Sequence, residues 1–220
     1  GNPVPPNEFI PIAEESGLIL EIGAWVLKRA CQQLRSWQDL GYDPIPVAVN
    51  LSARQFTDEQ LVNKIVDELS SAKLSPDLLE LELTERVIMR DVVENRVKLQ
   101  ALKDIGVKLS VDDFGTGYSS MSYLKRFPLD VLKIDRSFVM DLGTDSNDES
   151  IIRAIVALSK GLGLVTIAEG VETEQQRELL ASIGCDLMQG YLFSRPVPAR
   201  EAETFLTRAD PGLASMEDSS

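Results

Sequence analysis

The stretch Lys108-Leu109-Ser110-Val111-Asp112-Asp113-Phe114-Gly115-Thr116-Gly117-Tyr118-Ser119-Ser120 reads as a β-strand that ends on two adjacent carboxylates and opens into a loop rich in glycine and hydroxyl groups. Two neighbouring carboxylates repel each other and resist desolvation unless a cation or a proton relieves them. The end of a strand followed by a loose loop is also where α/β folds place chemistry. For an isolated Asp-Asp pair a solvated turn is the ordinary explanation. Here other strands of the chain end in the same way, and that changes the balance.

Outward from this stretch, strands and helices alternate six times without a linker or low-complexity break. Gly1 to Pro11 is Pro-rich and reads as an extended leading segment. Leu20, Ala24, Leu27, Cys31 and Leu34 recur at helical spacing, with Gly41 as the stop. Pro46 to Ser52 reads as a strand, and Thr57 with Gln60 as a capping box for the next helix. Leu78 to Thr84 is a strand, Asp91 to Ile105 a helix closed by Gly106, and Val107 to Asp112 a strand. A short helix is expected over Met121 to Arg126, a strand over Asp130 to Ile134 and a helix over Glu149 to Leu162. Leu164 to Ala168 follows as a strand. Thr173 with Gln176 makes a second capping box, for a helix ending at Gly184. Asp186 to Phe193 reads as the last strand and Ala199 to Thr207 as the last helix. Such alternation argues for a parallel sheet with helices outside, either an open doubly wound sheet or most of a TIM barrel.

The phase of the strand residues carries the functional signal, because alternate side chains face opposite sides of a sheet. Val47, Val49 and Leu51 oppose Ala48 and Asn50; Leu79, Leu81 and Leu83 oppose Glu80, Glu82 and Thr84. Leu109 and Val111 oppose Ser110 and Asp112, and Leu132 and Ile134 oppose Val131 and Lys133. If the aliphatics pack under the helices, then Asn50, Glu82, Asp112 and Lys133 converge inside one barrel mouth. A lysine within Val-Leu-Lys-Ile-Asp is hard to explain otherwise, since interior ions need partners. Glu169 shares its phase with Val165 and Ile167, so on this reading it reaches the mouth only if the strand ends or bends near Gly170.

Composition narrows the chemistry. The 220 residues carry a net charge of −13, which argues against a long nucleic acid or an anionic membrane surface as partner. It leaves room for a small anionic ligand where clustered carboxylates bind divalent cations. No apolar run is long enough to span a bilayer. The two cysteines, Cys31 and Cys185, sit in apolar patterns and read as buried thiols of a reducing compartment. There is no histidine, so the commonest general base and zinc ligand are excluded. An asparagine and several carboxylates make a hard-oxygen environment that suits Mg²⁺ or Mn²⁺. Asp112 and Asp113 bridging two ions would suit in-line attack on a phosphodiester, with Glu169 as proton acceptor. Proton abstraction beside a carboxylate, with Lys133 as base and an enediolate stabilised by metal, fits the same ligand count.

Five stretches together resemble the EAL-domain family of cyclic di-GMP phosphodiesterases. They are Asn50-Leu51-Ser52 with Gln55; Glu82-Leu83-Thr84-Glu85; Asp112 to Gly117; Lys133-Ile134-Asp135; and Ala168 to Glu172 with Gln189-Gly190-Tyr191. Pro6 to Glu14 is similar as well. The resemblance implies a TIM-like α/β barrel and hydrolysis of cyclic di-GMP to the linear dinucleotide pGpG with Mg²⁺ or Mn²⁺, as two ions. It implies metal ligands at Asn50, Glu82, Asp112 and Asp113, and a ligand or general base at Glu169. Lys133 would orient water or phosphate, and Glu85 would hold the Asp-Asp-Phe-Gly loop. Gln55, Asp113, Lys133 and Gln189 would face substrate.

The Glu-Ala-Leu segment that names the family is absent from these residues. The expectation is therefore six of eight barrel strands, the first two missing, over residues 1–208, with a disordered tail over 209–220. A chain so shortened should be poorly active by itself. The resemblance further implies a cytoplasmic bacterial signalling domain, a homodimer, without membrane insertion of its own and fused to sensory or GGDEF-type domains. The alternative is a catalytically silent cyclic di-GMP receptor or protein-interaction module.

Overall fold

Six parallel strands, hydrogen-bonded to one another in chain order, curl into a half-barrel with helices packed on its outer face. The computed structural model describes residues 4–115, 124–143 and 146–207. The elements are α1 (Pro6–Ser16), α2 (Ile19–Asp39), β1 (Val47–Asn50), α3 (Ala53–Thr57), α4 (Leu61–Ala72), β2 (Leu79–Thr84), α5 (Glu85–Ile88) and α6 (Val92–Ile105). They continue with β3 (Lys108–Phe114), β4 (Val131–Ile134), α7 (Arg136–Met140), α8 (Ser146–Leu162), β5 (Val165–Ala168), α9 (Glu174–Ile183), β6 (Leu187–Met188) and α10 (Ala199–Ala202).

The core lies between sheet and helices. Leu79, Leu81, Leu83, Leu109, Val111, Leu132 and Ile134 are fully buried on the outer face, against Ile65, Ile88, Leu99 and Leu102 of the helices. At roughly 2 kcal/mol for each such side chain this layer dominates the folding free energy.

Four local expectations need correction. The leading segment is not extended: Pro6 opens α1, since a first-turn proline lacks only an N–H that has no helical partner there. The capping box falls at Ser52 and Gln55 rather than at Thr57 and Gln60. Ser52 accepts from the Gln55 N–H, and the Ser52 N–H donates to Gln55 Oε1 at 3.2 Å. Gln60 caps α4 without a side-chain hydrogen bond. The last strand stops at Met188, because Gly190 leads into a turn in which Phe193 and Ser194 donate back to its carbonyl. The last helix is a single turn, Ala199–Ala202, continued by a 3₁₀ turn over Glu203–Phe205. The Thr173–Gln176 box and the stops at Gly106 and Gly184 stand as expected. Residues 116–123, which include most of the loop and helix expected after Gly115, and the tail from 208 lie outside the described residues.

Candidate functional site

Register brings the polar face of the sheet together. Asn50 pairs with Glu82 across β1 and β2, and Thr84 with Asp112 across β2 and β3. Val131, one step before Lys133 on the same face, pairs with Ser110. At the C-terminal ends of these strands Lys133, only 4% exposed, meets three carboxylates. Its Nζ lies 2.9 Å from Glu82 Oε1, 3.3 Å from Asp112 Oδ1 and 2.6 Å from Glu169 Oε1.

Glu169 arrives without a bend. Lys133 pairs in register with Ile167, so the inward phase of β5 is Val165, Ile167 and Glu169, while Thr166 and Ala168 are the fully buried helix-facing pair. The aliphatics of β5 thus mark the opposite face from those of β2 to β4. A barrel interior is itself partly apolar, and a β-branched residue fits either side of a pleat.

Asp113 reaches the mouth by a different device. Regular alternation would turn it away from Asp112, but β3 spans Val111 to Phe114 where β4 spans only Leu132 to Ile134. The extra residue is a bulge, and Asp113 takes a left-handed φ of 55°. Its N–H donates to Asp112 Oδ1 at 3.0 Å. Beyond the bulge, Gly115 has φ +100° and a Cβ there would lie 2.8 Å from Phe138, so only glycine fits. The Gly115 N–H donates to Oε2 of buried Glu85 at 3.0 Å, which ties the start of the loop to the end of β2.

The electrostatics follow from crowding. Burial works against the charge on Lys133, but the hydrogen bonds it donates to Glu169 and Glu82 outweigh it and hold the ammonium protonated far into the alkaline range. Burial raises the carboxyls of Glu82 and Glu169 above the usual range, only partly offset by Lys133. Asp113 is raised too, first by burial and then by the charges of Asp112 and Asp135. Several acids around one ammonium leave an excess of negative charge.

Of the residues singled out in the sequence, Glu82, Asp112, Lys133 and Glu169 are in direct contact. Gln189, at the end of β6, donates from Nε2 to Glu169 Oε1 at 2.6 Å. Asn50 is exposed at the end of β1. Gln55 is buried, its side chain committed to the Ser52 cap and packed where a Cβ on Gly23 would overlap it. Asp135 received no role from the sequence. Its carboxyl shares a hydrogen bond with Asp113 and caps α7 through the Ser137 N–H. Strand phase had no bearing on it because β4 has already ended at Ile134.

A parallel half-barrel with carboxylates and one lysine at the C-terminal strand ends defines the class: an α/β-barrel protein with an acidic, oxygen-rich mouth. The family follows from comparison. The model of the EAL domain matches residues 1–196, and the chain belongs to that family. It is 50% identical over 198 residues to the bifunctional diguanylate cyclase/cyclic di-GMP phosphodiesterase MucR of Pseudomonas aeruginosa, covering 90% of this chain and 29% of that protein. Signaling protein YkoW of Bacillus subtilis is 48% identical over 202 residues, covering 92% and 25%. The chain thus spans between a quarter and three tenths of these relatives. A solved structure of the PaMucR phosphodiesterase in complex with c-di-GMP superposes with TM-score 0.88 at 49% identity, covering 90% of this chain and 80% of that one. The FimX EAL domain of Xanthomonas citri in complex with c-diGMP gives 0.83 at 29% identity, covering 90% and 78%.

Proposed function

We propose that this chain is the catalytic domain of a cyclic di-GMP phosphodiesterase that opens the cyclic dinucleotide to linear pGpG. The observation that carries the reading is the Lys133 cluster, in which Glu82 of β2, Asp112 of β3 and Glu169 just after β5 surround one ammonium. Membership of the EAL family and likeness to a phosphodiesterase complexed with c-di-GMP support the choice of substrate.

The donor set fits a hard divalent cation: all candidate ligands are oxygen donors, and the excess negative charge calls for one. Asn50, Glu82, Asp112, Asp113 and Glu169 would hold Mg²⁺ or Mn²⁺, as one ion or two. Bound there, such a cation would polarise the phosphoryl oxygen and make water more acidic. The chain's own groups do the rest. Lys133 stays protonated and presents positive charge to the phosphate. Glu169, its carboxyl raised by burial, accepts the proton of the attacking water, and Gln189 fixes its orientation. Glu85 positions the two aspartates through the Gly115 amide.

The six strands are proposed as six of eight, over residues 1–208, with two strands and a further acidic ligand supplied by preceding residues of the parent polypeptide. Inward-facing Val165 and Leu187 remain 40% and 54% exposed, as expected where further strands pack. A homodimer and fusion to sensory domains belong to the same proposal.

A second reading, a silent cyclic di-GMP receptor, is favoured by one observation: Glu82, Asp112 and Glu169 are all engaged by the Lys133 ammonium. One assay separates the readings. Cyclic di-GMP is incubated with Mg²⁺ or Mn²⁺ and either this chain or the chain extended upstream, and pGpG is followed by chromatography. Turnover by the extended chain, lowered roughly 10²–10⁴-fold in Glu169→Gln, is the expected result. Tight binding without turnover would establish the receptor instead.

A further inference from the structure

We propose that Arg136 is the cation that anchors a phosphate of the substrate at this mouth, an inference that rests on the cyclic dinucleotide reading above. The mouth gathers Glu82, Asp112, Asp113, Asp135 and Glu169 around Lys133, whose ammonium is already shared among three carboxylates. An acidic rim repels a phosphodiester anion, and Lys133 faces the phosphate with a charge it shares among three acids. A further side-chain cation adds most where it is free of internal partners and stands beside the reacting groups.

Arg136 meets both conditions. It opens α7 directly after Asp135, three residues beyond Lys133. It is exposed, and it makes no hydrogen bond or ion pair among the described residues. Yet its stem is fixed. Gly170, the residue after Glu169, has φ +71°, and a Cβ on it would lie 2.6 Å from Arg136 Cβ and 3.9 Å from Cγ. The missing side chain lets the loop that carries Glu169 lie directly on the Arg136 stem, so Arg136 starts from the same side of the mouth as Glu169. Arg86, also exposed at a strand end, follows Glu85 on α5; it is Arg136 on which the Glu169 loop packs. A guanidinium suits the task, since its planar fork matches two phosphate oxygens at once and stays charged at every working pH.

Contact with a phosphate that is not itself cleaved contributes equally to bound substrate and transition state, so its loss should raise KM and leave kcat nearly unchanged. The test measures cyclic di-GMP binding by calorimetry, and turnover where present, for wild type, Arg136→Gln, Arg136→Lys and Arg96→Gln. The last removes one positive charge from the outer helix α6 and controls for net charge. Arg136→Gln should weaken binding and raise KM roughly 10–100-fold, as for a lost charge-assisted bidentate contact. Lys should restore part of that, and Arg96→Gln should match wild type. Guanosine, which lacks phosphate, is the second probe, and its inhibition should be the same in wild type and Arg136→Gln.

An unchanged KM in Arg136→Gln, or a shift no larger than that of Arg96→Gln, overturns the inference while leaving the phosphodiesterase reading intact. Equal weakening of guanosine assigns Arg136 to the base and overturns the phosphate contact. A fall in kcat at constant KM makes it a catalytic group rather than an anchor. Failure of wild type to bind cyclic di-GMP at all sinks the substrate reading and the inference with it.

Discussion

The two halves of the sheet are built on opposite principles. Across β2 to β4 the inward face is polar and buried, with Glu82, Ser110 and Lys133 each under a tenth exposed, and every outward aliphatic is sealed beneath a helix. Across β5 and β6 the inward face is apolar and open, with Val165 and Leu187 exposed, and the buried outward positions are Thr166 and Ala168. The first half is held by burial and by a shared ion cluster. The second half is tied by hydrogen bonds. The Thr166 N–H and hydroxyl both donate to Asp186 Oδ2, at 2.8 and 2.6 Å. Aliphatic phase therefore identifies the helix side only where a strand also carries buried charges on its other face.

The strongest test of this contrast removes the cluster's ammonium. Lys133→Met leaves three acids facing one another with no counter-charge, and should cost about 3–5 kcal/mol of stability in urea unfolding at pH 7. A loss below about 1 kcal/mol would mean the acids relax into solvent and the first half is not ion-bound. The second test compares two leucines of opposite surroundings. Leu81→Ala should cost about 2–5 kcal/mol by leaving a cavity. Leu187→Ala should cost about 0.5 kcal/mol or less, as for an exposed side chain. Similar losses at both sites would erase the distinction.

The smallest expected effect concerns pH. Hydrogen bonds from the Thr166 side chain and then its backbone hold the Asp186 carboxyl below its ordinary value. A carboxyl lowered in the folded state stabilises above its unfolded pKa of about 3.9, and this contribution is lost as pH falls through the folded value. Asp186 is largely exposed, so screening limits the effect to about 1 kcal/mol. Asp186→Asn should be less stable than wild type by that amount at pH 7, and the gap should narrow as pH falls below the ordinary carboxylate range and close below the lowered folded value. A gap that persists in acid would assign the effect to geometry rather than charge.

The sequence made the six strands legible, because parallel strands buried on the helix side read as aliphatic runs punctuated by glycine stops. It also revealed that Asn50, Glu82, Asp112 and Lys133 share a face, since strand phase is local. What it concealed depends on contacts between distant segments. Pro11 inside α1 disguises a helix that Ala13 buries against the core. The bulge that turns Asp113 inward appears only when β3 is laid against β4. The inward phase of β5 is fixed by Lys133 and Ile167 lying in register, which alternation within β5 alone cannot reveal. The Asp113–Asp135 contact joins a bulge to a helix cap, two irregular positions outside any period.

The ammonium at the centre of the cluster comes from β4, whereas the carboxylates of Glu82 and Asp112 come from β2 and β3. During synthesis both acids therefore leave the ribosome before their counter-charge exists. Until β4 emerges, the growing sheet carries like charges where its interior will be, and water must keep that face open. A nascent chain that closed this pocket earlier would bury two carboxylates without their lysine partner, which is costly.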